Sequence, residues 1–209
     1  MEAEESDERA SGLIAFWEGR WRAGQTPWDH GRFAPPFSEF VEREGAPGGR
    51  VLIPGPGSGH DVRYFAELGA EVTGMDIAPS AVAAARERNP HPDAVYLQGD
   101  ILDPDPALAR SFDWVIEHTC LCALEPAHWP AYAESVDQLL RAGGHYLALF
   151  YRNPHDDEGP PHRIEAATID ALFGSRFTLL KSWIPERSYA SREGREELRW
   201  YRKPVVKGS

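Results

Sequence analysis

Three glycines in five residues, Gly55–Gly59 (GPGSG), form a loop directly after a short apolar segment and directly before an amphipathic one. Glycine lets a ligand approach the backbone closely, and a helix beginning here would offer its free N–H groups to that ligand. A dinucleotide site needs G-x-G-x-x-G, and His60 stands where the last glycine of that pattern would be. This glycine loop therefore favours a ligand without a pyrophosphate, such as the methionine part of S-adenosylmethionine (SAM). A tight strand-to-helix turn without any ligand is the alternative.

Acidic residues follow two further apolar segments. Asp76 ends the first of these, and Gly99, Asp100 and Ile101 follow the second. A carboxylate at Asp76 can accept hydrogen bonds from both hydroxyls of a ribose, since it is a planar, bidentate acceptor. Asp100 and Ile101 suit an adenine, with an acid for the exocyclic amine and an apolar side chain against the ring. Together with the glycine loop, they predict SAM binding at the carboxyl edge of a parallel sheet.

The elements that must position these residues alternate in type. Short apolar segments of strand length alternate with segments of helical period, which is typical of βαβ units and a parallel sheet with helices on both faces. The predicted strands are Arg50–Pro54, Glu71–Met75, Ala94–Gln98, Phe112–Ile116, His145–Tyr151 and Phe177–Trp183, with Glu197–Lys203 as a last, antiparallel strand. The predicted helices are Ala10–Ala23, Pro36–Glu44, His60–Leu68, Ser80–Arg88, Pro126–Arg141 and Glu165–Phe173. The fold class is α/β, Rossmann-like and doubly wound.

Length and charge limit the domain count and the partners. The chain of 209 residues suits one sizeable domain, which we place at 10–209 after a disordered acidic tail, 1–9. Within it, 10–46 would cover the cofactor and 50–151 would bind it. The net charge of −11 disfavours nucleic acid and acidic membrane surfaces as partners, so we expect neither.

The cysteines and the N-terminus favour a cytoplasmic location. Cys120 and Cys122 are the only cysteines, and a C-x-C pair in an extended segment is too close for an ordinary structural disulfide. No stretch approaches the roughly 20 apolar residues that span a bilayer. The first residues are acidic and polar, unlike the basic and then apolar start of a signal peptide.

Several segments together resemble a known family. Val51–Met75, followed by Asp76 and Ile77, is similar to the nucleotide-binding half of class I SAM-dependent methyltransferases. Within that class, the chain more closely resembles the thiopurine, thiol and halide methyltransferase family. The segments that carry this resemblance are Phe16-Trp17, Trp21, Gly24–Asp29 (GQTPWD), Phe112–Pro126 (FDWVIEHTCLCALEP) and Gly159–Pro161. The similarity extends from about Phe16 to about Lys203.

The resemblance implies a fold, an activity and a set of cofactor contacts. The fold would be a mostly parallel, seven-stranded sheet whose last strand is antiparallel, with an N-terminal helical lid over the cofactor. The activity would be transfer of the SAM methyl group to a small thiol, bisulfide or halide, with S-adenosylhomocysteine as product. We expect a monomer or a weak homodimer. Carried over by position, the lid residues are Trp17, Trp21, Thr26, Trp28 and Asp29, and the other SAM contacts are Gly55, Gly57, Gly59, Asp76, Ile77, Asp100, Ile101 and Glu117.

One departure from the family pattern concerns the acceptor. Many relatives have a tyrosine facing the acceptor where this chain has His118. A neutral thiol has a pKa of about 8.5, so a nearby base would raise its reactive fraction, and His118 is the candidate. A loop histidine bonded to the backbone is the alternative interpretation. Arg152 could hold an anionic acceptor or be a surface charge.

Other residues allow more than one interpretation. Trp17, Trp21 and Trp28 could surround the sulfonium through cation–π attraction of roughly 0.5–2 kcal/mol, or could simply pin the first helix to the sheet. Cys120 and Cys122 do not complete a metal site and are expected to line the pocket as small buried side chains. His155 and His162 flank an acidic run, 156–158, which we interpret as a solvated loop near the acceptor. We expect no metal.

Two alternative functions remain open from sequence. The altered acceptor position allows a methyltransferase for an oxygen, nitrogen or metalloid acceptor. A SAM-binding protein without turnover is the other.

Overall fold

A seven-stranded mixed sheet forms the centre of the computed structural model, which describes residues 2–155 and 158–205. The strands are β1 (Arg50–Pro54), β2 (Glu71–Asp76), β3 (Ala94–Gln98), β4 (Phe112–His118), β5 (Leu140–Tyr151), β6 (Thr178–Trp183) and β7 (Glu196–Arg202). Their order in the sheet is β3-β2-β1-β4-β5-β7-β6. β1 to β5 pair in parallel, whereas β7 is antiparallel to both β5 and β6. The predicted fold is thereby confirmed.

The strand order places a binding crevice. Beginning at β1, the chain adds strands outward to β3 and then returns to the other side of β1 with β4. Connections leave in opposite directions at such a switch point, so a crevice opens outside the carboxyl ends of the two central strands. The glycine loop follows β1 and therefore lies at this crevice.

Helices cover both faces of the sheet. They are α1 (Glu2–Arg22), α2 (Pro35–Glu44), α3 (His60–Glu67), α4 (Pro79–Arg88), α5 (Trp129–Leu139) and α6 (Ala166–Phe173). Alternate residues of β1 belong to different core clusters, with Leu52 in one and Val51 and Ile53 in the other. The first cluster includes Phe173 of α6, and the second includes Phe65 of α3. None of the described helices is long and apolar enough to cross a membrane.

Most predicted elements agree with the structure to within two residues, and the differences lie around α5 and at the start of α1. The helix predicted over Pro126–Arg141 spans only Trp129–Leu139, after a separate 3₁₀ turn over Pro126–His128. β5 then begins at Leu140, which pairs with Phe112 at a register shift, rather than after the glycines at His145. The glycine pair is accommodated inside the strand, so it does not end the helix as predicted.

The first helix also begins earlier than predicted. A disordered tail over 1–9 and a helix from Ala10 are predicted from the sequence, whereas α1 begins at Glu2. Glutamate and alanine have high helix propensity, and acidic residues suit the first turns of a helix. Arg9 also contacts Asp100 on the core, which fixes the part of the helix that precedes Ala10. Met1 lies outside the described residues.

Candidate functional site

A cavity of about 350 Å³ opens at the carboxyl edge of the sheet, as the strand order requires. Its walls come from α1 and the loop after it, from the loops after β1 to β5, and from the turn before β7. Most of the residues predicted to contact the cofactor line it. These are Trp17, Trp21, Trp28, Gly55, Gly57, Asp76, Ile77, Asp100 and Ile101.

Two glycines on the cavity wall have no side chain that would occupy the cavity. Gly55 and Gly57 have φ angles of 57° and 53°, in the left-handed region that favours glycine. A Cβ on Gly57 would lie 3.6 Å from Cζ2 of Trp21 and 3.8 Å from Nε1 of Trp28. A side chain at Gly57 would therefore fill the space between the glycine loop and the lid tryptophans.

Asp76 ends β2 with a buried carboxylate on the cavity wall. Its Oδ1 accepts a hydrogen bond from the Ala78 amide at 3.0 Å, and its Oδ2 accepts one from the Gly57 amide at 3.2 Å. Burial nevertheless raises the pKa of Asp76, because these bonds only partly replace water. Hydroxyl donors from a ligand would complete its hydrogen bonding.

Asp100 lies at the next strand end and is tied to the first helix. Its Oδ1 accepts a hydrogen bond from the Leu102 amide at 2.8 Å, and Arg9 Nη2 donates to its Oδ2 at 3.0 Å. The neighbouring Ile101 is buried, with 7% of its surface exposed, and lines the same cavity. Arg9 was not among the residues predicted from the sequence, because it lies 91 positions from Asp100.

The lid tryptophans form one aromatic cluster over the glycine loop. The rings of Trp17 and Trp28 are 5.4 Å apart and nearly perpendicular, and those of Trp21 and Trp28 are 6.3 Å apart. Edge-to-face pairs of this kind are stabilising beyond the area they bury. Thr26, which the resemblance also placed in the lid, is not on the cavity wall.

Hydrogen bonds hold the lid to the core at two further points. Glu18 of α1 accepts two from Ser80, at 2.9 Å from its amide and 2.6 Å from its hydroxyl. These bonds lower the pKa of Glu18. Asp29, after α1, accepts from the Ser58 hydroxyl and lies 3.1 Å from Nε2 of His60. With Arg9, they tie the lid to the regions after β1, β2 and β3.

A second set of residues forms what we term the acceptor end of the cavity: Cys122, Tyr151, His155, Ser191 and Arg192. Arg192 is buried, with 6% of its surface exposed, and its guanidinium lies 4.7 Å from the centre of the Tyr151 ring. Its Nη1 pairs with the buried Glu196 carboxylate at 3.3 Å, and its other donors, on this mostly apolar wall, suit a second anion.

Comparison with known proteins identifies the family. A model of the thiopurine S-methyltransferase family matches residues 14–201. The chain belongs to this family. Thiocyanate methyltransferase 1 of Brassica oleracea is 36% identical over 190 residues, which cover 88% of this chain and 83% of that protein. Probable thiol methyltransferase 2 of Arabidopsis thaliana is 33% identical over the same shares of the two chains.

Solved structures agree on the fold. One, from work on the conversion of a disulfide bond into a thioacetal group in echinomycin biosynthesis, matches with a TM-score of 0.77 at 23% identity, covering 94% of this chain and 93% of that one. The 1,6-didemethyltoxoflavin-N1-methyltransferase of Burkholderia thailandensis, solved with bound S-adenosylhomocysteine, matches with a TM-score of 0.71 at 22% identity. It covers 95% of this chain and 90% of that one.

The protein is therefore a SAM-dependent methyltransferase, and the cavity fits SAM. Gly55 and Gly57 expose their backbone on the cavity wall, and the lid tryptophans offer indole faces to a sulfonium. The incompletely satisfied carboxylate of Asp76 suits the ribose hydroxyls, and Asp100 with Ile101 suits the adenine. The predicted roles of these residues remain predictions, although their positions agree with them.

Gly59 and Glu117, both predicted to contact SAM in this methyltransferase, do not line the cavity. Gly59 precedes α3 with φ 83°, and a Cβ there would lie 2.6 Å from the Tyr96 hydroxyl, so glycine is needed for packing. Glu117 is buried and accepts hydrogen bonds from the amides of Cys120 and Leu121 and from the Tyr132 hydroxyl, at 2.7–3.3 Å. Its carboxylate fixes the turn that follows β4.

His118, predicted to be a base, is also absent from the cavity wall. It lines a second cavity of about 50 Å³ behind the glycine loop. Its Nδ1 lies 2.7 Å from Asp61 Oδ2, and its Nε2 lies 3.2 Å from Arg192 Nη1. Histidine at the end of β4 thus contacts a cavity residue instead of the acceptor itself. The imidazoles that do line the main cavity belong to His30 and His155.

Arg152, the predicted anion ligand, likewise lies off the cavity wall. Its Nη1 donates to Glu197 Oε2 at 2.6 Å, because β7 pairs with β5 and brings Glu197 alongside. Its charge is therefore matched within the fold. Arg192 lies at the acceptor end, the position predicted for Arg152 from the sequence.

Both cysteines line the cavity, as predicted, and neither is disulfide-bonded. Burial raises the pKa of both thiols well above the usual range, and the Glu117 carboxylate adds to the effect. At neutral pH they are protonated and poorly nucleophilic. His155 donates a hydrogen bond from its ring Nε2 to the Ser191 carbonyl oxygen at 2.9 Å. Asp156 and Asp157, in the acidic run beside it, lie outside the described residues.

Proposed function

We propose that this methyltransferase transfers the methyl group to a small, soft anion: a thiolate, bisulfide, thiocyanate or halide. The observation that carries the proposal is the buried Arg192 at the acceptor end, with its guanidinium against the Tyr151 ring. The hydrogen bonds that the guanidinium makes with described residues all involve Nη1, which leaves Nε and Nη2 for an anion. The names of the thiocyanate and thiol methyltransferase relatives agree with this acceptor class.

The residues around the cavity would act by positioning SAM and the acceptor relative to each other. When bound, SAM supplies an electrophilic methyl group on a sulfonium. Asp76 and Asp100 would fix its nucleoside, while Trp17, Trp21 and Trp28 would cover it. Orienting two reactants in this way can lower a barrier by roughly 7–11 kcal/mol.

The acceptor end would bind the anion by charge pairing and would exclude water from it. Arg192 would hold the anion through its free donors, and the wall beside it is formed by Tyr151 and Cys122. Removing water from an anionic nucleophile makes it more reactive toward a cation, because opposite charges cancel in the transition state. An anion needs no base, which agrees with the position of His118 away from the wall.

Neutral thiols would need a different residue for proton removal. Burial and the nearby charge of Arg192 lower the pKa of His30, so its imidazole is neutral and weakly basic at pH 7. We therefore expect acceptors that are already ionised to react faster than thiols of high pKa.

A panel of acceptors tests the proposal. The protein with methyl-labelled SAM would be offered iodide, thiocyanate, bisulfide, an aromatic thiol and a phenol. We expect methylation of the anions and of the acidic aromatic thiol, and none of the phenol. Methylation of the phenol alone would favour an oxygen acceptor. SAM binding without methylation of any compound would refute the proposal and favour a protein without turnover.

We also propose a cytoplasmic monomer or weak homodimer. Two free thiols suit a reducing compartment. Among the described residues, exposed large apolar side chains lie on α1 and β3, at Phe16 and Val95, and Leu179, Leu180 and Ile184 lie on or beside β6. Sedimentation velocity across a hundredfold range of concentration would reveal a stable dimer, which would contradict this proposal.

A further inference from the structure

Three polar side chains form a chain of hydrogen bonds behind the acceptor end. Arg192 Nη1 lies 3.2 Å from His118 Nε2, and His118 Nδ1 lies 2.7 Å from Asp61 Oδ2. A guanidinium can only donate, so Nε2 must accept and the ring proton must lie on Nδ1, where it is donated to Asp61. The contacts themselves therefore fix one neutral tautomer of His118.

Burial and further contacts hold these three side chains in place. The side chains of Asp61 and His118 are each 12% exposed, and that of Arg192 is 8% exposed. Asp61 Oδ1 accepts a hydrogen bond from the Ala34 amide at 2.8 Å. The His118 ring is in edge contact with Phe37, with the ring centres 5.9 Å apart.

A competing partner contacts the same nitrogen of Arg192. Glu196 Oε1 accepts from the same Nη1 at 3.3 Å, and Glu196 is completely buried. Its second oxygen, Oε2, has no hydrogen-bond partner in the described part of the chain. An unpaired buried carboxylate oxygen strongly attracts a nearby donor. Without His118, the guanidinium would turn further toward Glu196 and its free donors would leave the cavity.

We propose that His118, held as a single tautomer by Asp61, is a positioning residue that keeps Arg192 directed at the acceptor and so sets the affinity for the anion. The inference rests on the proposed function, because it assigns Arg192 to the acceptor. It replaces the sequence-based interpretation of His118 as a base. His118 would act only through Arg192.

Asp61→Asn is the sharpest test, because it is isosteric and retains the carbonyl oxygen for the Ala34 amide. Its NH2 group would face His118 Nδ1, which must then accept, so the ring proton moves to Nε2 and the bond from Arg192 is lost. We expect the KM for iodide to rise about 10-fold or more, since hydrogen bonds to charged groups are the strong ones. The Kd for SAM by calorimetry should change less than twofold. Nitrogen-15 NMR of the histidines should show the tautomer change directly.

A second variant tests whether Asp61 acts through His118. His118→Leu should raise the iodide KM as much as Asp61→Asn does, and the double variant should add nothing. Additive effects would overturn the proposal, and so would an unchanged KM in Asp61→Asn once the tautomer change has been observed. A wild-type His118 protonated on Nε2 would overturn it as well.

Binding of iodide without turnover separates this inference from the proposed function. Iodide can be titrated in the presence of S-adenosylhomocysteine while the Arg192 Nε–H resonance is followed. If wild type binds iodide but does not methylate it, the proposed function is wrong, and the loss of iodide binding in Asp61→Asn still tests the positioning role. If wild type binds no anion at Arg192, both fail.

Discussion

Glu18, in the first helix, caps the N-terminus of another helix by accepting hydrogen bonds from both the amide and the hydroxyl of Ser80. Ser80 is the second residue of α4, where backbone N–H groups have no partner within the helix. The contact joins sequence positions 62 apart. The lid is thereby attached to the helix that follows Asp76, the residue predicted to bind the ribose.

Loss of this cap should loosen the lid. We expect Glu18→Ala to lower the free energy of unfolding by about 1 kcal/mol, the usual effect of removing a capping side chain. If lid closure depends on this contact, SAM affinity should fall about fivefold. Urea denaturation and calorimetry measure the two effects. Glu8→Ala, an exposed position on the same helix, is the control and should change neither.

Asp76 should be required for cofactor binding. Asp76→Ala removes the carboxylate expected to accept both ribose hydroxyls, and we predict at least a hundredfold weaker SAM binding by calorimetry, since two charge-assisted hydrogen bonds are lost. Asp93→Ala removes an exposed aspartate before β3 and is the matched control. Equal affinities for the Asp76 and Asp93 variants would contradict the ribose assignment.

Glu117 should make stability depend on pH. Burial raises the pKa of Glu117 from 4.5 to about 7, so the folded protein holds this proton more tightly than the unfolded chain does. The resulting stabilisation is fully present below pH 4.5 and is lost as the pH rises through about 7. We expect a loss of about 1–3 kcal/mol between pH 5 and 8 from this group.

Urea denaturation at several pH values, on wild type and Glu117→Gln, measures the contribution of Glu117. The glutamine variant keeps a carbonyl acceptor but has no proton to lose, so its stability should vary less over this range. Parallel curves for the two proteins would contradict the assignment.

Arg192 should determine acceptor affinity, and Arg152 should not. Arg192→Met removes the cation at the acceptor end, so we predict a rise of at least tenfold in the KM for iodide and little change in SAM affinity. Arg152→Met removes an arginine that pairs with Glu197 off the cavity wall, and it should leave the iodide KM unchanged. The opposite pattern would restore the sequence-based interpretation of Arg152.

The part of the cavity expected to bind the cofactor could be predicted, because the sequence motifs that form it are local. The glycine loop directly follows β1, Asp76 ends β2 and Asp100 lies just after β3, and parallel strands must end at the same edge of a sheet. Their meeting point therefore follows from strand assignment alone. Arg9 and Glu18 could not be found in this way, since nothing in the sequence relates a helix face to a distant strand end.

The acceptor end could not be predicted, since its partners are brought together by the antiparallel strand. Arg192 lies 74 positions from His118, and only the pairing of β7 with β5 places the turn before β7 beside the end of β4. The same pairing takes Arg152 out of the cavity by supplying Glu197. The residue types predicted an arginine and a histidine near the acceptor, but spacing in the sequence could not show which arginine lies on the cavity wall or which residue His118 contacts.

The lid cluster gives the molecule an optical signal of its own. Trp21 and Trp28 lie where a Cβ on Gly57 would touch them, whereas Trp129 is buried in the core and Trp114 lies in a central strand. A ligand at the glycine loop would therefore change the emission of the lid indoles and leave that of the core indoles nearly constant. Substrate and product differ by one positive charge at the sulfur, so the intrinsic fluorescence should distinguish a loaded enzyme from a spent one without any added label.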